Sequence, residues 1–439
     1  MILIMKKRFI FILFLLLTMS HGYSKVLVYS LPELLVAVKK SNQKIYMKPG
    51  KYNLENLPSG SRSIDITGSN NIISLKNVYV NVPVGCVRKT YINVSGNNNK
   101  IIGGEFEDTY RNGMTEVTDF SAYNKDRRNQ AYGLKGDPVM LVSGDGNLTD
   151  GIKLTVRGSF PYGYGSMYGI GADNKYGLDK RCGILITGVG NTLDNVEVQQ
   201  RAFGHGIFMQ KTADKTVIKN TLVEGRVRKS KDLYEEKNSF DLPFRSKYLM
   251  PLANNKPIPK DQVHSLCEDG IRMYKIPGSI TVEDCMVKKM RGGVRLYLGG
   301  KASVSGTTAI DCGHVNYNLP TEGEIIESSG NFAYAPVLNF SLNRRNAEIE
   351  MTILPSPHAI GPHNLADIDG NNHQITFLSK SNRSRSDEKR AIVVTGENSK
   401  IVNKTEYAII LGSSSKNNRI ISRGPVTDHG TDNTVTKGR

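Results

Sequence analysis

Gly183-Ile184-Leu185-Ile186-Thr187 is followed by Gly206-Ile207-Phe208-Met209-Gln210, then by Gly270-Ile271-Arg272-Met273-Tyr274 and Arg295-Leu296-Tyr297-Leu298-Gly299. The units recur after 23 and 25 residues, with one interval of 64 between Gly206 and Gly270. Two of them align over a longer span. Leu193-Asp194-Asn195-Val196-Glu197-Val198 runs into Gly206-Ile207 as Val282-Glu283-Asp284-Cys285-Met286-Val287 runs into Arg295-Leu296. Short alternating strands at such a period mark a solenoid whose coils stack on one another.

The turns outside this stretch share a signature. Thr67-Gly68-Ser69-Asn70-Asn71, Ser95-Gly96-Asn97-Asn98-Asn99, Ser143-Gly144-Asp145-Gly146-Asn147 and Thr187-Gly188-Val189-Gly190-Asn191 each precede a short apolar strand. The pattern returns at Asp369-Gly370-Asn371-Asn372 and Thr395-Gly396-Glu397-Asn398. Gly and Asn tolerate the backbone of tight corners. Repeated corners between strands of three to five residues predict an all-β, single-stranded parallel β-helix; a sandwich would show hairpin turns instead. Near the N-terminus, Lys25-Val26-Leu27-Val28-Tyr29 reads as a strand. Ser30 with Glu33 forms a capping box for a helix over 32–40, whose apolar face is Leu31, Leu34, Leu35 and Val38. Such a helix would cover the open edge of the first coil.

Composition agrees with a turn-rich β protein. Hydrophobic residues make up 38% of the chain, with 43 glycines and no tryptophan. Lys6-Lys7-Arg8, the apolar run from Phe9 to Met19 and the small exit from Ser20 to Ser24 predict a cleaved export signal over 1–24. The run is short for a bilayer span, and no later stretch is apolar enough for one. A secreted or periplasmic mature chain over 25–439, without a membrane partner, is therefore expected. The net charge of +17 points, outside a cell, to a polyanionic glycan rather than nucleic acid. Cys86, Cys182, Cys267, Cys285 and Cys312 are irregularly spaced and odd in number, so neither a disulfide framework nor a zinc pattern is predicted. Inert buried thiols are expected.

Three polar or irregular segments, 114–137, 158–180 (with Tyr162, Tyr164 and Tyr168) and 228–263, read as loop insertions that could wall a groove. The layout resembles the pectin-lyase-like superfamily of right-handed β-helix proteins over nearly all of the mature chain. The capped opening through Pro49-Gly50-Lys51-Tyr52 is its most specific part. That resemblance implies carbohydrate work, most often by polysaccharide lyases and glycoside hydrolases, on the outer face of one sheet. Fold alone does not decide the chemistry.

Alternation puts Ile207, Met209, Ile271, Met273, Leu296 and Leu298 inside, and Phe208, Gln210, Arg272, Tyr274, Arg295 and Tyr297 outside. Phe208, Arg272 and Tyr297 are expected in one column, and Arg295 in the column of Gly206 and Gly270, where missing side chains would leave a depression. The approaching turns add Arg201, His205, His264, Glu268, Asp269, Lys289 and Arg291. The same residues suit an Arg–aromatic ladder on a solvated face. The sharper reading is a site that cleaves an acidic polysaccharide by β-elimination. Arg272 and Arg295 would neutralise the uronate carboxylate through bidentate bonds. His205, between two glycines, would be the base. Tyr297 would be the acid, or the base beside arginines that lower its pKa; Lys289 and Arg291 are further options. Arg201, His264, Asp269, Tyr274, Lys289, Arg291, Phe208 and Gln210 would bind substrate. An outward Arg272 predicts that Arg272→Ala abolishes turnover with little loss of stability.

Gly204-His205-Gly206 with Gly270-Ile271-Arg272-Met273-Tyr274-Lys275 is also similar to the Gly-His-Gly and Arg-Ile-Lys elements of polygalacturonase-type hydrolases. Those enzymes carry paired aspartates upstream, whereas Asp150, Asp173, Asp179 and Asp194 stand singly here. Alternation would also point Glu268 and Asp269 apart, against a hydrolase that needs two facing carboxylates. The Asn-Gly-x-Glu element of the alginate- and chondroitin-degrading β-helix lyases is absent. A non-catalytic glycan-binding β-helix is a further alternative. No metal site or cofactor is predicted; calcium has no motif behind it. A monomer is expected.

Overall fold

The computed structural model describes residues 24–87, 89–110, 137–158, 180–210, 212–231, 261–341, 343–356, 358–379 and 390–438. The expected export signal up to residue 23, most of the three expected insertions, and Tyr162, Tyr164 and Tyr168 lie outside them. The chain is a right-handed parallel β-helix. Among the described residues, one face is a sheet of 13 strands running from Ile64–Ile66 to Val426–Asp428. A connected set of 23 strands forms the rest of the wall. Its two rows of short strands fuse at Glu324–Gly330, which pairs through Glu324 with Ser303 and through Ser329 with Thr308. Beyond this point the coils shrink, and the spacing of stacked corner residues falls from 26 to 19 to 15.

Inside the 13-stranded sheet, stacking makes a continuous aliphatic column. Ile92, Met140, Ile184, Ile207, Ile271, Val294, Tyr317 and Leu338 follow one another in register and are buried. Apolar side chains at period two, repeated coil after coil, give the solenoid its single core.

The corners carry a second column. The Asn71, Asn99, Asn147 and Asn191 side chains are buried, and each accepts the backbone N–H of the coil before: Gln43 to Asn71, Asn71 to Asn99, Asn99 to Asn147, Asn147 to Asn191, at 2.8–2.9 Å. Their neighbours Gly68, Gly96, Gly144 and Gly188 stack so tightly that a Cβ on Gly144 would lie 2.1 Å from the Gly96 carbonyl oxygen. Glycine here is a steric requirement. The late corners use Ser399, Asn418 and Asn433 in the same way.

The helix spans Leu31–Ala37, three residues shorter at its C-terminus than expected. The capping box is present: the Ser30 hydroxyl accepts the Glu33 amide, and the Glu33 carboxylate accepts the Tyr29 amide at 2.9 Å. Leu31, Leu34 and Ala37 are buried against the first coil. All five cysteines are free, four of them buried, and burial pushes their thiols upward. Asn147→Ala should strand the buried Asn99 amide and lower stability by about 2 kcal/mol. Chemical unfolding curves test this, and an unchanged midpoint would remove the ladder from the stabilising interactions.

Candidate active site

The sheet register differs from the expected one at a decisive place. Arg272 pairs with Arg295, and Ile271 with Val294. The outward column therefore reads Leu185, Phe208, Arg272, Arg295, Asn318. Tyr297 lies two residues further on and is not in it. Val294 and Leu296 are buried, while Leu298 is half-exposed rather than inside. The glycine column is completed by Gly293, not Arg295. A Cβ on Gly206, Gly270 or Gly293 would meet Val223, Val287 or Ala309 across the core, so these glycines allow close packing and leave no outer depression. The next pairing is Tyr274 with Leu298, one residue out of step. Such a β-bulge re-aims side chains, and here it brings Tyr297 against Arg272.

Asp269 is the hub. Glu268 and Asp269 precede the strand Ile271–Ile276, so strand alternation does not govern them. Both are fully buried and both approach His205, at 3.4 and 3.8 Å, contrary to the expectation that they diverge. Arg291 donates to Asp269 through Nε at 2.8 Å and Nη2 at 2.6 Å, a two-pronged grip. Arg295 Nη1 donates at 3.1 Å, and Arg272 Nε lies 3.6 Å away. Gly292 makes room, since a Cβ there would strike the Arg295 side chain at 1.9 Å. Burial would raise the Asp269 pKa, but Arg291 and Arg295 outweigh it and hold the carboxyl well below its usual value. Glu268 receives Lys180 at 2.8 Å. Burial opposes its ionisation as well, yet Lys180 and Arg291 beside it keep it below the usual range. Four cations thus meet two carboxylates.

Two tyrosines flank Arg272, whose guanidinium carbon lies 4.5 Å from the Tyr274 ring centre and 4.3 Å from that of Tyr297. Arg272 Nη2 donates to the Tyr297 hydroxyl at 2.9 Å. Arg295 and Arg344 approach the same ring at 4.9 and 5.7 Å. Burial alone would raise the Tyr297 pKa, but the Arg272 hydrogen bond and the charges of Arg272 and Arg295 bring it below its ordinary value. Burial pushes Tyr274 the other way, to about 12. Among the described residues, Arg272 Nη1, Arg295 Nε and Arg344 Nε have no hydrogen-bond partner although buried.

His205 is buried, and burial lowers its pKa to about 4 against the pull of Glu268 and Asp269. Its Nδ1 accepts the Asp269 amide at 3.1 Å. The neutral ring therefore carries its proton on Nε2 and donates to the Tyr274 hydroxyl at 2.8 Å, a tautomer assigned from the hydrogen bonds. The ring has no lone pair left for a substrate proton, which argues against the expected role of His205 as base. Gly204 and Gly206 do not open a path to it either, since their Cβ positions face Arg181 and Val223.

The structure gathers His205, Phe208, Asp269, Arg272, Tyr274, Arg291, Arg295 and Tyr297. The Phe208 ring lies 5.5 Å from the His205 ring, tilted by 41°. Arg272 is only 4% exposed, which corrects the expectation that its removal would leave stability intact. Arg201 and Lys289 gather instead around Glu224, at 3.9 and 3.5 Å. Gln210 is half-buried just beyond the strand Ile207–Met209. His264 lies in the antiparallel pair Val227–Lys229 with Val263–Ser265, and its side chain is outside the described part. Lys180 and Arg344 were missed because they come from distant coils. Among the described residues, no cluster of His, Cys, Asp and Glu is arranged to hold a metal ion.

No family model matches the chain, and the search of curated proteins found no significant match. Among solved structures, the catalytic domain of a GH87 α-1,3-glucanase in complex with nigerose is similar at 10% identity and a TM-score of 0.44, covering 94% of this chain and 68% of that one. A PL6 alginate lyase bound to a trisaccharide is similar at 11% identity and a TM-score of 0.43, covering 93% and 87%. A polygalacturonase from Erwinia carotovora ssp. carotovora is similar at 11% and a TM-score of 0.36, covering 96% and 99%.

Two outcomes test the electrostatics. Asp269→Asn leaves buried guanidinium charge uncompensated and should cost about 3–5 kcal/mol, read from thermal melts. The second concerns His205, whose folded pKa lies below its unfolded value near 6.5. The unfolded chain binds the proton first, so stability falls as pH drops from about 6.5 toward 4, by about 3 kcal/mol from this group. His205→Gln should flatten that part of the stability–pH curve; an unaltered slope would contradict the assignment.

Proposed function

We propose that this chain is a secreted, monomeric polysaccharide lyase that cleaves an acidic, uronate-containing polysaccharide by β-elimination. The observation that carries this reading is the Arg272–Arg295 pair beside Tyr297, with guanidinium donors unused within the described structure. Elimination needs a neutralised carboxylate, a base for the adjacent C5 proton and a route for the leaving oxygen. Two adjacent arginines suit the first need, because planar guanidinium groups bind carboxylates through paired hydrogen bonds. Tyr297 suits the second, because the same arginines favour its phenolate. Binding the carboxylate next to the base also places the C5 proton within its reach, which confers a proximity advantage.

The carboxylates argue against an inverting hydrolase. Such an enzyme needs one protonated carboxylic acid and one carboxylate base facing each other across the bond. Here Glu268 and Asp269 are both held ionised, both buried, and both engaged by cations. A purely glycan-binding role would leave the Asp269 cluster and the lowered Tyr297 without a purpose.

Incubation with a panel of uronic-acid polysaccharides should give rising ultraviolet absorbance from an unsaturated uronate. New reducing ends without that absorbance would overturn elimination in favour of hydrolysis. Retention on the glycan with neither signal would leave a binding protein. In the active case, the rate should rise with pH as Tyr297 ionises, below the usual range for a phenol. Arg272→Lys should move that limb to higher pH and reduce kcat/KM by about a hundredfold; an unmoved limb would dissociate Arg272 from the base.

A further inference from the structure

We infer that Tyr274 is the general acid of this reaction, protonating the leaving glycosidic oxygen, with His205 as its positioning residue. The inference rests on the lyase reading above and assigns the one proton transfer that reading leaves open. Tyr274 and Tyr297 stand on neighbouring coils with the Arg272 guanidinium against both rings, at 4.5 and 4.3 Å. Their hydroxyls have different partners. Tyr297 accepts from Arg272, an arrangement that favours the phenolate. Tyr274 accepts from His205 Nε2–H, because the Asp269 amide occupies Nδ1. Its own O–H proton is therefore free to point away from the histidine, and the residue is half-buried rather than sealed in the core. The two phenols are pushed in opposite directions, Tyr274 up to about 12 and Tyr297 downward. Titratable pairs driven apart by their surroundings identify acid and base.

The step balances without a further reactant. The C5–H bond breaks and its proton passes to the Tyr297 oxygen. The electron pair forms the C4–C5 double bond, the C4–O4 bond breaks, and O4 takes the proton of Tyr274. The products are an unsaturated uronate and a sugar hydroxyl. Tyr274 is left as phenolate, stabilised by the His205 Nε2–H and the nearby Arg272 charge. Exchange with water returns one proton to Tyr274 and removes one from Tyr297.

An acid matters only when the leaving group is poor. Tyr274→Phe keeps the ring, and it should lower turnover of the susceptible polysaccharide by about a hundredfold or more. On a uronide carrying a dinitrophenyl ether at O4, whose departing phenolate needs no proton, it should retain near-wild-type rates. Tyr297→Phe should fail on both substrates. Equal loss on both substrates for Tyr274→Phe, or unchanged polysaccharide turnover, overturns the acid role and leaves the lyase reading standing. No unsaturated product from the wild-type chain on any uronate removes both. Should Tyr274→Phe melt early, wild-type rates across a series of aryl ethers decide. A shallow dependence on leaving-group acidity supports the assignment, and a steep one overturns it.

Discussion

The buried carboxylate of Asp269 is the counter-ion on which this face of the solenoid depends. Arg291 grips it with two nitrogens, Arg295 with one, and Arg272 stands within ion-pair range. A buried charge is tolerated only where partners offset its desolvation, and the reverse also holds for the guanidinium groups around it. One carboxylate cannot saturate three arginines. The surplus of positive charge and of unused donors is therefore a property of the folded chain itself. Arg291 supplies most of the neutralisation, which leaves Arg272 and Arg295 positioned but under-used. That division of labour separates Arg291, paired through two nitrogens, from the two arginines stacked with Tyr297.

Parallel stacking explains how such a cluster arises from residues far apart in sequence. Each coil delivers one side chain to each column, so Arg272 and Arg295 become neighbours by register alone. Rigid columns also restrict what a site can be built from, because every outward position faces the same way. The bulge after Arg272 relaxes this restriction by one residue and brings a tyrosine beside the arginine instead of above it. The asparagine and glycine corners that follow the strands of the same sheet have no such freedom, and their tight stacking resists the slippage that would blur the columns.

Much of this was legible in the chain. The corner signature, the capping box and the inward Ile207, Met209, Ile271 and Met273 follow from local patterning, which a solenoid copies directly into three dimensions. The register differs from the expected one because Gly293, not Arg295, corresponds to Gly206 and Gly270. The triplet Gly293-Val294-Arg295 repeats Gly270-Ile271-Arg272 and would have given the true pairing. The adjacent carboxylates depart from alternation for a different reason: they lie before the strand begins, where no pleat governs them. The hydrogen bond that fixes the His205 tautomer depends on a backbone amide from another coil, and no spacing in the sequence announces it. Lys180 and Arg344 belong to the same class, since their place is set by insertions and coil lengths between them and the site.

The histidine shows why burial has to be weighed before a role is assigned. Beside two carboxylates an imidazole would ordinarily be expected to hold a proton and a charge. Here desolvation outweighs that attraction and the ring stays neutral. Burial is the larger part of the reason, and Arg291 and Lys180 beside the two carboxylates add a smaller push in the same direction. A neutral ring with one nitrogen tied to a backbone amide can only donate from the other. Burial of the ring and the backbone amide of Asp269 thus together set the direction of the hydrogen bond to Tyr274.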